Sequence, residues 1–336
     1  MKQVKLLKPG GLDNLQISDA DTPGLREHEV LVKVKASSLN YHDLLVALGH
    51  IPTDDGRVPL SDCGGEIVEI GKDVSMWKVG DEIMSCCFHN WIEGKPRPEL
   101  LSFIGDHEDG YATEYIAIGE SSLTRTPAGW NALQSATLPC AGLTVWRALI
   151  DEGNLQAGET VLVQGSGGVS VFALQLAKAI GAHVIATTSS KEKMDKLISL
   201  GADKVINYKE NPEWGREVLS QTNGEGVDHV MEVGGANTFG ESVRSVRMGG
   251  HIALIGILGG ASIKDILLPR IFLKQIRISG IAMGNRLSQE AMVEFLDHSS
   301  IRPIISHTFE LTSLSEAFKL QMDNGHFGKI GITVSN

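Results

Sequence analysis

The stretch that most limits the fold is residues 159–208, ETVLVQGSGGVSVFALQLAKAIGAHVIATTSSKEKMDKLISLGADKVINY, which reads as strand, glycine turn, helix, strand, helix, strand. The apolar run Val161, Leu162, Val163 has the length of a buried parallel strand and delivers the chain straight into Gly165, Gly167 and Gly168. A helix follows at once. Its apolar residues Val171, Leu174, Leu176, Ala177 and Ile180 recur at helical spacing until Gly181. Backbone N–H groups at that helix start have no partner within the helix, and the missing Cβ atoms allow close approach. Gly165, Ser166, Gly167, Gly168 and Val169 are therefore expected to cradle the pyrophosphate of a dinucleotide. The third glycine of the G-x-G-x-x-G spacing is replaced by Ser170, still small enough for close helix–strand packing.

The end of the second strand bears on which dinucleotide. An NAD site carries an acidic residue there, about twenty residues after the glycines, to accept from the ribose 2′-OH. This chain has Thr187, Thr188, Ser189 and Ser190, then Lys191 and Lys193. Hydroxyls and cations suit a 2′-phosphate, and the carboxylate that would repel it is missing. The reading favours NADPH (NADP) over NADH, with Thr188, Ser189 and Lys193 as contacts. The plainer alternative is that Ser190 caps the next helix and the lysines are its solvated face.

At 336 residues the chain is long enough for two domains. A formal net charge of -11 and the lack of a basic block argue against nucleic acid or an anionic membrane as partner. No signal-like apolar start and no membrane-length apolar run is present, so a cytoplasmic protein is expected. Cys63, Cys86, Cys87 and Cys140 form no C-x-x-C pair and suggest no disulfide framework.

Residues 1–120 read as β-rich: VKLL, EVLVKVKASSL and EIVEIG are short apolar or alternating runs broken by Pro-Gly, Gly and Asp. From 288 onward the chain gives helix (AMVEFLDH), strand (PIISHTFE), helix (LSEAFKLQM) and strand (KIGITV), elements that would return to complete the first domain. The expected division is 1–127, completed by 285–336, and 128–284.

In order and spacing, ASSLNYHDLL, PLSDCGGEIVEIG, VGDEI, DGYATEYIAI, SATLPCAGLTVWRAL and the glycine segment resemble the medium-chain dehydrogenase/reductase superfamily, and within it the zinc-independent quinone oxidoreductase-like members. The resemblance spans essentially the whole chain. It implies an α/β architecture: a GroES-like β-barrel catalytic domain and a Rossmann domain with a doubly wound parallel sheet. It also implies a homodimer or homotetramer, joined near the strand HIALIGI at 251–257. Matched residue by residue, it puts Thr144 beside nicotinamide, Tyr208 with Lys193 at the adenosine end, and Val233, Gly256, Ile257 and Ala282 on strand ends bordering the cofactor.

The superfamily's catalytic zinc is held by Cys, a His-Glu pair and a further ligand. Here Asn40 stands at the first position, Asp62 and Cys63 at the pair, and only Cys140 matches. One retained ligand is too few for tetrahedral zinc, so no metal is expected. Without a Lewis acid, an already electrophilic acceptor fits best: an α,β-unsaturated carbonyl or a quinone, reduced by hydride from NADPH. Asn40, Tyr41 and Asp62 are the catalytic candidates. Tyr41 could donate a hydrogen bond or proton, or simply pack. His42 and Asp43, an adjacent pair, read as structural. Segment 86–109, mixing aromatics, prolines and charges, reads equally as a loop beside a substrate cleft, as solvated surface or as a subunit contact, with Trp91 and Phe103 the candidates for packing there. The remaining alternatives are an alcohol dehydrogenase with irregular zinc ligands and a non-enzymatic nucleotide-binding protein of the same fold.

Overall fold

The computed structural model describes residues 1–262 and 268–335. The chain divides into two compact units, Met1–Leu143 with Met283–Asn336, and Thr144–Ala282.

The first unit opens with β1 (Lys2–Leu6), β2 (Leu15–Asp19), β3 (Glu29–Ser38), β4 (Gly64–Ile70), β5 (Glu82–Ser85), β6 (Tyr115–Gly119) and β7 (Leu123–Arg125). The second unit holds β8 (Thr160–Gln164), β9 (His183–Thr188), β10 (Lys204–Asn207), β11 (Val227–Glu232), β12 (Val246–Leu254) and β13 (Arg277–Gly280). The chain then returns to the first unit with β14 (Ile305–Glu310) and β15 (Lys329–Thr333).

β3 is the strand around which the first unit is built. Its alternating sequence buries Val30, Val32 and Val34 against Ile67, Ile83, Ile104, Tyr111, Ile118 and Leu123. It pairs antiparallel with β4, β6 and β15, in a sheet ordered β14-β15-β3-β4-β5-β7. A second apolar cluster joins Leu39 and Leu44 to Leu60, Phe318, Ile330 and Ile332, which packs the C-terminal strand and the helix Leu314–Met322 onto the N-terminal part. The tail therefore completes this unit by burial of apolar surface.

The division falls at 143/144, later than the 127/128 expected. The short helix Ala132–Ser135 explains the difference: a Cβ on Gly64 of β4 would lie 2.0 Å from the Ala132 carbonyl oxygen, so this helix backbone sits directly on the first unit's sheet. Beyond it the helical path tightens and widens, with π-helical turns at Leu138–Gly142 and Arg147–Asp151 flanking Leu143–Trp146.

The second unit is a six-stranded sheet in the order β10-β9-β8-β11-β12-β13, every neighbouring pair parallel. Counted from β8 this is the doubly wound order 3-2-1-4-5-6, whose strand order reverses between β8 and β11. On one face Leu162, Ile185, Val230 and Ile252 are covered by Trp214, Val218, Phe239 and Val243. β13 forms one edge, so 251–257 lies one strand in from it. Beside that edge Phe272, Leu273 and Ile278 are exposed.

Close packing at Gly64 and open space at Gly240 give a paired test. Gly64→Ala should destabilise the protein by about 1–3 kcal/mol or more in urea unfolding, since the obstacle is backbone and cannot rotate away. Gly240, in the helix Phe239–Ser245 with nothing within 4 Å of a Cβ, should gain about 0.5–1 kcal/mol on Gly240→Ala.

Candidate functional site

In a doubly wound sheet, ligands bind outside the carboxyl ends of the strands where the order reverses. Here that point lies past Gln164 of β8 and Glu232 of β11, and the glycine turn stands on it. Gly165 takes φ +78°, a left-handed conformation that suits glycine, and Cβ atoms on Gly165 or Gly167 would meet nothing within 4 Å. The helix Gly168–Ile180 starts behind it with Gly167 as N-cap and no side chain capping it. The result is an open cradle of backbone donors at a positive helix end, which fits a pyrophosphate. Ser170 packs tightly as expected and also ties the turn shut, donating to the Gln164 carbonyl oxygen at 2.5 Å.

Beneath the cradle lies a polar lattice that sequence reasoning missed. The fully buried Glu232 carboxylate accepts from Gly234 N and Gly235 N, both at 2.8 Å, and from Thr238 Oγ1 at 2.5 Å. Its other oxygen accepts from Gln164 Nε2 at 2.8 Å and from Ser242 Oγ. Gln164 Oε1 in turn accepts from Val233 N at 3.2 Å and Gly234 N at 3.3 Å. A buried carboxylate needs such donors to be tolerated, and here they fix the loop that follows β11 to the strand that carries the glycines. Val233 is on that loop. Gly256 stands against it, because a Cβ there would lie 2.5 Å from the Val233 carbonyl oxygen. Ile257, half exposed, and Ala282 follow the carboxyl ends of β12 and β13. Thr144 is buried in the stretch Leu143–Trp146.

At the end of β9 the structure brings Thr188 and Tyr208 together: Tyr208 N donates to the Thr188 carbonyl oxygen at 3.0 Å, and the phenol is 39% exposed. Ser190 caps the helix Lys191–Ser199, its hydroxyl accepting from Lys193 N at 3.2 Å, while Ser189 stands just before that cap. Burial lowers the Lys193 ammonium below its ordinary range, with the Glu192 carboxylate opposing the shift and Lys196 adding to it.

In the first unit the polar candidates separate. Tyr41 begins the helix Tyr41–Ala47 and is 40% exposed. Asn40 and Asp62 are buried in a lattice centred on Lys329, which sequence reasoning missed although it sits at the head of the last strand. Lys329 Nζ donates to Asn40 Oδ1 at 2.6 Å and to the Leu39 carbonyl oxygen at 2.7 Å, and lies 3.4 Å from Asp62 Oδ2. Asp62 Oδ2 accepts from Ser38 Oγ at 2.7 Å and Asn40 Nδ2 at 2.8 Å, and Oδ1 accepts from Cys140 N at 3.0 Å. Asp43 also belongs here, accepting from Asn40 N at 2.9 Å. Burial and the neighbouring Asp62 charge raise its carboxyl from the ordinary range to about 6. Asn40 and Asp62 thus hold backbone in place, and Tyr41 is the candidate left facing outward.

The zinc suggested by the superfamily does not fit this lattice. Lys329 is already the cation beside Asp62, and the Asn40 amide is engaged on both of its ends. The Cys87 thiol donates to the sulfur of Cys140, which with burial pushes Cys87 well above its ordinary range. Among the described residues no group of three or more His, Cys, Asp or Glu side chains is placed to hold a metal.

Lys329→Met should cost about 3–5 kcal/mol, since it leaves Asp62 buried without its cation, and adding Asp62→Asn should recover part of that loss in urea unfolding. Asp43 titrates in the opposite sense to most carboxylates. Its folded-state value lies above its unfolded one, so its contribution is present at low pH and lost as pH rises from about 4 to about 6. In urea unfolding, Asp43→Asn should therefore be more favourable to stability at pH 8 than at pH 4, by at most roughly 3 kcal/mol.

Residues 26–128 match the alcohol dehydrogenase GroES-like domain, and residues 168–298 match the zinc-binding dehydrogenase family. A zinc-type alcohol dehydrogenase-like protein of Schizosaccharomyces pombe is 36% identical over 333 residues, covering 96% of each chain. An acryloyl-coenzyme A reductase of Metallosphaera sedula is 31% identical over 334 residues, covering 96% of this chain and 98% of its own. The solved structure of the 2-octenoyl-CoA carboxylase reductase CinF, in complex with NADP and 2-octenoyl-CoA, superposes with a TM-score of 0.86 at 25% identity, covering 99% of this chain and 87% of the other. From the matched domains, the cradle at the point of strand reversal and full-length identity above 30%, the chain belongs to the medium-chain dehydrogenase/reductase superfamily of NAD(P)-dependent oxidoreductases.

Proposed function

We propose that this chain uses NADPH to reduce the activated double bond of an α,β-unsaturated carbonyl compound, or a quinone, without a metal ion. The observation that carries this reading is the Lys329 lattice, which engages Asn40 and Asp62 where the superfamily's zinc ligands would stand. Polarising a simple ketone or an alcohol for hydride transfer is what such a Lewis acid does well. A conjugated acceptor does not need one, because hydrogen bonding to its carbonyl oxygen suffices as charge develops there. Tyr41, exposed at the start of its helix and anchored by Asn40, is the donor we assign to that oxygen. Two of the proteins this chain resembles support the substrate class by name, since acryloyl and 2-octenoyl groups both carry the conjugated double bond.

The bound dinucleotide supplies the hydride. Gly165 to Val169 hold its pyrophosphate. Thr188, Ser189, Lys193 and Tyr208 hold the adenosine end, where the second strand ends in hydroxyls and not in the carboxylate of an NAD site. Thr144, Val233, Gly256, Ile257 and Ala282 border the nicotinamide end. An alcohol dehydrogenase with irregular ligands would instead carry stoichiometric zinc. A nucleotide-binding protein without activity would bind NADPH and turn over nothing.

NADPH oxidation with a panel of enals, enones, enoyl thioesters and quinones tests the proposal. The expected result is turnover with at least one of them, unchanged by chelator; no turnover across the panel sinks it. Lys193→Ala should raise KM for NADPH by about 10- to 100-fold, the worth of one charged hydrogen bond, and leave KM for NADH nearly unchanged.

A further inference from the structure

We propose that His42, oriented by Asp106, is the acid that delivers the second hydrogen of the reduction to the substrate. This rests on the reductase reading above and names a residue that reading leaves open. His42 Nε2 lies 3.0 Å from Asp106 Oδ2, a contact between residues 64 positions apart. The Asp106 side chain is 3% exposed and that of His42 21%, so the carboxylate is sealed while one edge of the ring reaches solvent. The other carboxylate oxygen, Oδ1, accepts from His107 Nδ1 at 2.6 Å and from His107 N.

An aromatic stack sets the ring plane. Phe103 lies on His42 with centroids 4.2 Å apart and planes at 18°, and Phe88, itself buried, meets Phe103 edge-on at 4.9 Å. His42 is the second residue of the helix that Tyr41 begins, so the ring and the phenol are carried by one anchored turn. Asp106 lies against the ring, Asp43 is close enough to interact with it, and His107 occupies the other oxygen of Asp106. Burial alone would raise the Asp106 carboxyl, but the hydrogen bonds from His42 and His107 outweigh it and hold it below the ordinary range. A buried carboxylate on Nε2 fixes the ring and leaves Nδ1–H of the imidazolium as the donating atom.

A C–H bond of the reduced nicotinamide would break with its electron pair to form the bond to the β-carbon, leaving NADP⁺, while the π pair of the double bond passes to the α-carbon and carbonyl oxygen as an enolate. The Nδ1–H bond of His42 then breaks, its proton bonding to the α-carbon and its electron pair staying on the ring, which regains a proton from water.

An α-methyl enone tests this, because protonation at its α-carbon creates a stereocentre. The wild-type enzyme, His42→Gln and Asp106→Asn are compared for rate, enantiomeric excess of product, NADPH affinity and thermal midpoint. We expect one enantiomer from the wild type. His42→Gln should lose about 10²- to 10⁴-fold in kcat with the enantiomeric excess eroded, and NADPH affinity and thermal midpoint should hold. Asp106→Asn, as the positioning residue, should show the same erosion with a smaller loss of rate. A racemic product from the wild type, or a variant at position 42 that keeps the wild-type enantiomeric excess, overturns the assignment. Failure of the wild type to reduce any unsaturated carbonyl would instead bring down the reductase reading itself.

Discussion

A buried ammonium facing a buried carboxylate organises the first unit. Lys329 and Asp62 are 6% and 0% exposed at their side chains, and desolvating two charges is tolerated only when every donor and acceptor around them is used. The surrounding contacts meet that demand: Ser38, Asn40, Leu39 and the Cys140 backbone complete the set. The last strand, the end of β3, the entry to β4 and the π-turn at Leu138–Gly142 are thereby joined at one point. Tyr41 is presented by a helix whose N-terminus belongs to this lattice, and its neighbour His42 is presented with it.

The second unit solves a parallel problem with a lone carboxylate. Among the described residues no cation contacts Glu232, and backbone and hydroxyl donors meet its carboxylate oxygens instead. Through Gln164 that lattice couples the glycine strand to the loop carrying Val233. The two strand ends that flank the reversal of order therefore move as one piece, and a dinucleotide bound there meets a preformed surface. This is consistent with a cradle whose glycines leave room for a ligand rather than for neighbouring protein.

What the sequence made legible was local. The strand-turn-helix of 159–208 could be read because its signals, an apolar run, clustered glycines and helical spacing, lie within a few residues of one another. Helix 314–322 coincides with the stretch LSEAFKLQM for the same reason. What stayed hidden depends on long-range contact. Lys329 meets Asn40 across 289 positions, and nothing near either residue announces the other. His42 beside Asp43 suggested a structural pair; the fold instead gives each a separate partner, Asp106 for one and the Asn40 backbone for the other. The division between units was displaced because packing of Ala132 on Gly64, not composition, decides where the first unit ends.

The proposed metal-free reduction rests on a protein cation engaging Asn40 and Asp62, the positions at which the resemblance would put zinc ligands. The most direct test is metal content measured alongside NADPH-dependent reduction of an unsaturated carbonyl, on protein produced with zinc in excess and again after exhaustive chelation. The account predicts zinc far below one ion per chain and the same turnover before and after. Stoichiometric zinc whose removal abolishes turnover would contradict it.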